Sequence, residues 1–357
     1  MRAFMKTPAS ADLRFIPKIV LLLTLVVGAA LPGRAQTAAD LKTYFTNLGL
    51  SQDQMAAIDK GEAFAKTLQS RIPDEIFVFG AVYIQATPEK YVKLANNFDR
   101  LRKLPEFLAL GRFSNPPQLS DLKGFDLDDG DIKELKDCKV GDCKLQLPAK
   151  AIEEIPKAVD WSSPNADEQA NRIVRKRILE GLLKYQRLGN KMLGEYNDKK
   201  DPTEVAGHFK YMLSYISALP KNLPEFYRYL LDYPSAKPAN VENSFYWARV
   251  KFGLKPTLRL VHVLTRRGTT PRDPVYVIAE KQIYSSHYFE TALDLTFLIR
   301  GTDKQPAGFY LVKAMGSEQG GLTGLKGSIV RKTAVSRSAS SLQNSLAAIR
   351  TELEQKP

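Results

Sequence analysis

The sequence predicts an α+β protein in which a curved antiparallel β-sheet is wrapped around a long C-terminal helix and carries a helical insertion. Three observations predict it. The stretch Val275–Ile299, VYVIAEKQIYSSHYFETALDLTFLI, reads as two adjacent strands with a polar step at Ser285–Ser286. Its second run alternates: His287, Phe289, Thr291, Leu293, Leu295, Phe297 and Ile299 fall on one side, and Tyr288, Glu290, Ala292, Asp294, Thr296, Leu298 and Arg300 on the other. Period-two alternation of this length marks a long strand with one apolar face, and that face needs a cover. The cover is the second observation: Leu342, Leu346, Ile349 and Leu353 give residues 338–354 a helical seam, with Ser338, Ser340 and Ser341 as candidate caps. The third is punctuation. Gly253–Pro256, Gly268–Pro274 and Gly301–Pro306 are short Gly/Pro connections between strand-like runs, which is how an antiparallel meander reads.

Taken in order, residues 38–70 read as helical, with Ser51 and Gln54 as a capping box and Met55, Ala56, Ile58, Phe64, Ala65 and Leu68 as the apolar stripe. Ile76–Ala86 is β-branched and aromatic, a strand. Thr87-Pro88-Glu89 opens a helix whose stripe is Tyr91, Val92, Leu94, Ala95 and Phe98. The acidic run Asp121–Asp131 reads as a solvated turn. It fails as a calcium loop, because Gly130 falls at the fifth position from Asp126 and Asp137 at the twelfth. Ile152–Val159, Asp167–Tyr196, Glu204–Leu219 and Pro224–Leu231 carry helical periodicity and form an insertion at about 150–235. Strands are expected at Ser244–Phe252, Thr257–Arg266, Val275–Gln282, Ser286–Ile299 and Gly308–Met315. Gly320, Gly321, Gly324 and Gly327 then let the chain turn toward the last helix.

Arg2, Lys6, Arg14 and Lys18 precede the apolar run Ile19–Leu31, and Gly33 and Ala35 are small residues before Gln36. This is the pattern of a cleaved secretory signal peptide over residues 1–35, so a periplasmic or secreted location is expected. The apolar run is shorter than the ~17 residues that a spanning helix needs. Without residues 1–35 the chain has 47 Lys/Arg against 38 Asp/Glu, a net charge of +9, and from Val241 onward 17 face 9. For an exported protein such a basic half favours an anionic membrane surface over nucleic acid. Cys138 and Cys143, around a turn at Gly141-Asp142, are expected to form a local disulfide across a hairpin. No second cysteine pair is present to complete a zinc knuckle.

The order strand, helix, small hairpin, helical insert, meander and C-terminal helix resembles the helix-grip fold of the START/SRPBCC-like superfamily. VYIQATPEKYVKLANNFDRL and the closing meander with its helix carry the resemblance. FGAVYIQATPE, GRFSNPPQLSDL, KVGDCKLQLP, WARVKFGLKPTLRLVHV and KQIYSSHYF also resemble an uncharacterised family of exported bacterial proteins. The superfamily resemblance implies a cavity between sheet and helix.

The candidate ligand-binding residues are His287, His262, Tyr284, Tyr246, Phe289 and Tyr83. His287 and His262 lie on meander strands where a neutral or charged imidazole can anchor a ligand headgroup, and the aromatics supply apolar surface. His208 reads as a surface or packing residue. Ser286 beside His287 is not a dyad, since neighbours on a strand face opposite ways. The chain has no G-x-S-x-G elbow, H-E-x-x-H or phosphate loop. Arg249, Lys251, Arg259, Arg266 and Arg267 read as a solvated outer face. The expected function is binding or carrying an apolar, lipid-like ligand, by a monomer with no catalytic residue, cofactor, metal or nucleic acid. The alternatives are an enzyme of the cyclase, dehydratase or hydrolase kind in the same fold, or an envelope interaction protein that uses the insert.

Overall fold

The computed structural model describes residues 38–355 except 217, 253–254, 272 and 302–306. The expected signal peptide and its cleavage site lie outside the described residues. Helices α1 (Ala38–Asn47) and α2 (Gln52–Asp59) precede strands β1 (Phe64–Leu68) and β2 (Glu75–Ile84), then come α3 (Pro88–Ala95), α4 (Phe98–Leu101) and β3 (Phe107–Arg112). The insert runs through α5 (Asp129–Asp137), α6 (Ala149–Ala158) and α7 (Ala166–Leu188). After the minimal strands β4 (Glu195–Tyr196) and β5 (Thr203–Glu204) it ends with α8 (Val205–Ser214), α9 (Ala218–Asn222) and α10 (Pro224–Asp232). The meander is β6 (Val241–Phe252), β7 (Lys255–Arg267), β8 (Tyr276–Ser285), β9 (Phe289–Arg300) and β10 (Phe309–Gln319), and α11 (Gly324–Glu354) closes the chain.

The α+β class stands, with a large antiparallel sheet and a long C-terminal helix. Eight strands run in the order β1-β2-β10-β9-β8-β7-β6-β3. The meander thus closes onto β2 at one end and β3 at the other, the two strands that flank α3 and α4 in sequence. Both faces of the sheet are covered. One face presents Phe79, Ala81 and Tyr310 to Phe45, Leu50 and Ile58 of the α1–α2 region. It also presents Leu293, Leu295, Leu260 and Trp247 to the insert, where Tyr185, Phe209, Phe226 and Tyr229 pack. The other face presents Val78, Val82, Ile278, Leu298 and Leu311 to Tyr91 of α3 and to Leu342, Leu346 and Leu353 of α11.

Ser51 caps α2 as the sequence predicts. Its hydroxyl accepts from the Gln54 N–H at 3.2 Å, and the Gln54 side chain accepts from the Ser51 N–H at 2.9 Å. Losing a reciprocal cap of this kind costs ~1 kcal/mol. Ser51→Ala is accordingly expected to lower stability by about that amount in thermal unfolding followed by circular dichroism.

Several boundaries differ from expectation for identifiable reasons. Phe64–Leu68 is an edge strand rather than helix, paired from Phe64↔Ala81 to Leu68↔Phe77. Gly61, at φ +86°, ends the helical run before it. Helix α11 starts at Gly324, well before Ser338, behind a turn with Gly321 at φ +84° and Gly324 at φ +74°. Its first half carries small side chains such as Ala334 and Ala339, which leave no apolar seam to read. The disulfide Cys138–Cys143 is formed, but Cys138 caps α5 and the two cysteines flank one tight turn bridged at Lys139↔Asp142, with no hairpin of extended runs. The acidic run is not a solvated turn: Asp131 is 2% exposed, Asp126 pairs with Arg175, and Asp121 accepts from the Ser114 and Gln118 N–H groups.

Candidate functional site

The alternation of β9 holds from Thr291 onward but not before it. Glu318 of β10 pairs with Thr291 and Gln319 with Phe289, so Glu290 is an extra residue in the ladder. This bulge reverses the face on which Phe289 lies relative to Leu293. Tyr288, at φ +64°, breaks the extended run further, and His287 sits in the turn before the strand. The apolar face of β9 packs on the insert. The side that faces α11 is the polar one, carrying Asp294 and Thr296.

On that side, strand register assembles a charged group at the centre of the sheet. Asp294 of β9 lies opposite Glu280 of β8 and Met315 of β10. Lys313 of β10 lies opposite Gly80 of β2 and Thr296 of β9. Directly paired side chains of this kind stand roughly 5 Å apart at Cβ. The Tyr246 hydroxyl donates to Glu280 Oε1 at 3.0 Å, and Arg259 Nε donates to Gln282 Oε1 at 2.9 Å. The Arg259 guanidinium lies 5.1 Å from the Phe289 ring centre, and Phe98 of α4 meets Tyr246 edge-on at 5.9 Å. Leu342 and Leu346 of α11 press down beside the group: a Cβ on Gly80 would come within 2.7 Å of Leu346 Cδ1 and 2.9 Å of Leu342 Cδ2. Gly80 therefore lets α11 approach the sheet one residue away from Lys313.

Glu280, Asp294, Lys313 and Arg259 are all half-buried although they stand mid-strand in the sheet interior. Their neighbours Val263, Met315, Val335 and Ala339 are also only partly buried. Solvent therefore reaches this part of the sheet face. The electrostatics follow from this depth. Burial pushes the Asp294 carboxyl up to about 6, with Glu280 adding to the shift and Arg259 and Lys313 opposing it. Burial also pushes the Tyr246 phenol well above its usual range, reinforced by Glu280. For Lys313 burial acts downward, but Tyr91, Glu280 and Asp294 outweigh it and hold the ammonium above its usual value. A carboxylic acid near neutrality beside a second carboxylate, a tyrosine and two cations can hold a polar headgroup or exchange a proton with it.

Of the six residues nominated from sequence, Tyr246 belongs to this group and Phe289 borders it through Arg259. The other four lie elsewhere. His262 is fully buried under the insert, with Nδ1 3.0 Å from the Tyr185 hydroxyl and Nε2 2.8 Å from Asn243 Oδ1. Burial, then the Lys281 charge, pushes its pKa well below the usual value. His287 places Nε2 2.9 Å from Asp131 Oδ2 and Nδ1 3.0 Å from the Lys144 carbonyl, so the two histidines share no partner. Tyr284 packs on Tyr196 of the insert, and Tyr83 on Tyr310 beside the α1–α2 region. Arg259, read from sequence as solvated, is half-buried in the charged group. Glu280, Asp294 and Lys313 went unnominated. Their signal was present as isolated charges inside strands that are otherwise apolar.

Among the described residues, His208, Glu290 and Glu318 are grouped as metal ligands would be, and no helix there is long and apolar enough to cross a membrane. Comparison with family models, curated proteins and solved structures gives no match to this chain.

Proposed function

We propose that this protein is an exported binding or carrier protein that holds an amphiphilic, lipid-like molecule between the sheet and helix α11. The observation that carries this reading is the half-buried group Glu280, Asp294, Lys313 and Arg259 at the centre of a sheet face whose surround, Val263, Ile278, Leu298 and Met315, is apolar. Charges are retained at such depth when something polar meets them. The apolar surround would bind an alkyl or ring body, worth ~25 cal/mol per Å² buried before ordering costs. The charged group would orient a polar or zwitterionic head. A meander closing onto β2 and followed by a long terminal helix supports the helix-grip reading and its START/SRPBCC-like kinship. A disulfide and a signal-like N-terminus support export. Ile329 and Val330 on α11, 71% and 55% exposed, stand beside Arg331, Lys332 and Arg337, an apolar tip among cations suited to contact with an anionic membrane surface.

Organic extraction of the purified mature protein followed by mass spectrometry tests the proposal. Recovery of an amphiphile is expected, and Val263→Trp, which adds bulk on the strand position opposite Glu280, should abolish it while thermal unfolding stays cooperative. Repeated recovery of no bound molecule from the wild type would sink the idea. One observation favours a second reading, an enzyme of hydrolase, dehydratase or cyclase type: Asp294 near pH 6 beside Glu280 and Tyr246 is equipped for acid–base work. A bound compound that is converted by wild type and left intact by Asp294→Asn would select that reading.

A further inference from the structure

The bulge that reverses Phe289 has a second product. Glu290, the extra residue, has no partner in the β9–β10 ladder, and its side chain turns toward α8 and the end of β10. There His208 of α8 places Nδ1 2.7 Å from Glu318 Oε1 and 3.9 Å from Glu290 Oε2. One ligand atom from each of the three residues lies within 4.8 Å of the others. Glu318 is only 4% exposed, yet its Oε2 accepts no hydrogen bond. The Thr291 hydroxyl, cross-strand from Glu318, and Asp74 Oδ1 are likewise buried without a hydrogen-bond partner. A buried carboxylate oxygen left unsatisfied is costly, and native folds seldom keep one without a use.

The charge balance points the same way. Glu290, Glu318, Asp74 and Asp198 are gathered around Lys199, whose Nζ is 2.9 Å from Glu290 Oε1, and His208. The centre thus carries more acidic groups than cations. We propose that His208, Glu290 and Glu318 form a binding site for a divalent transition-metal cation of the Zn²⁺ or Mn²⁺ kind, which fastens α8 of the insert to the bulged ends of β9 and β10. An imidazole nitrogen with two carboxylate oxygens suits these ions better than Ca²⁺ or Mg²⁺, which take oxygen alone. Three protein ligands leave room for water, and the His208 side chain, 34% exposed, gives an ion entry from solvent. Lys199 is the resident competitor for Glu290, and its half-exposed side chain can swing aside.

The mature chain, stripped with a chelator and titrated calorimetrically with ZnCl₂ and MnCl₂, tests the site. Saturable one-to-one binding is expected. His208→Ala and Glu318→Gln should each weaken it by tenfold or more, and Lys199→Ala should tighten it. Thermal unfolding in chelator separates metal loss from misfolding: Glu318→Gln should keep a cooperative transition but lose its metal-dependent rise. Wild type without saturable binding, or binding unchanged in both ligand variants, would overturn the site and leave an ionic latch between His208 and Glu318.

Discussion

Replacing Asp131 with alanine is expected to destabilise the protein by about 1–3 kcal/mol, the cost of leaving the buried His287 ring nitrogen without its hydrogen-bond partner. Asp131 lies in the first turn of α5, where its own N–H donates to the Asp128 cap at 2.8 Å. Its carboxylate, 2% exposed, meets His287 Nε2 at 2.9 Å and Lys255 Nζ at 3.4 Å. The contact ties the start of the insert to the turn between β8 and β9. Without it, His287, 5% exposed, keeps only the Lys144 carbonyl, while Lys255 can move toward Glu134, now 4.0 Å away. Urea unfolding should show a lower midpoint at unchanged slope. Asp131→Asn, which keeps one hydrogen bond, should lose less. A double-mutant cycle with His287→Phe should recover a coupling energy above about 1 kcal/mol. A loss below 1 kcal/mol for Asp131→Ala would show that the pair contributes no net stability.

Asp131 also shows what a sequence reading can and cannot reach. In DLKGFDLDDGD it looks like any solvated acid, because its partner His287 is 156 residues away. The strands of the meander, the Ser51 cap and the Pro88-opened helix were legible, since each depends on local pattern or turn chemistry. What failed depended on pairing across the chain. Phe64–Leu68 took its conformation from β2, and the early start of α11 was hidden by small residues with no apolar rhythm. The largest loss was the facing of the sheet. The alternation in β9 correctly separated two sides, but the apolar side met the insert, and the side toward α11 held the charges. A one-residue bulge at Glu290 was enough to place Phe289 and Leu293 on opposite faces, and bulges leave no periodic mark. Histidine drew attention as the versatile residue, yet His262 and His287 are held by Tyr185, Asn243, Asp131 and Lys144. The acids and bases of the candidate site came from positions that look ordinary in isolation.

Asp294→Asn is expected to stabilise the protein at alkaline pH, by up to about 3 kcal/mol, and to leave it unchanged in acid. The Asp294 carboxyl, ordinarily near 3.8, is pushed up to about 6 by burial and by Glu280. A raised folded-state pKa means that the fold favours the protonated form. Below pH 4 both folded and unfolded chains hold that proton, and the neutral carboxyl carries no penalty. Between about 4 and 6 the unfolded chain ionises first, and stability falls as pH rises. Above 6 the penalty is complete, and the displacement of the carboxyl from 3.8 to about 6 corresponds to about 3 kcal/mol. Asparagine cannot ionise, so the variant should show a flatter pH dependence across this window, read as urea midpoints at pH 4 and pH 8. An equal shift at both pH values would mean that packing rather than ionisation sets the effect. Natural chains rarely keep a destabilising charge without a use. The same variant therefore bears on function: if Asp294 meets a ligand headgroup, gained stability should come with weakened retention of the extracted amphiphile, whereas unchanged retention would remove Asp294 from the binding surface.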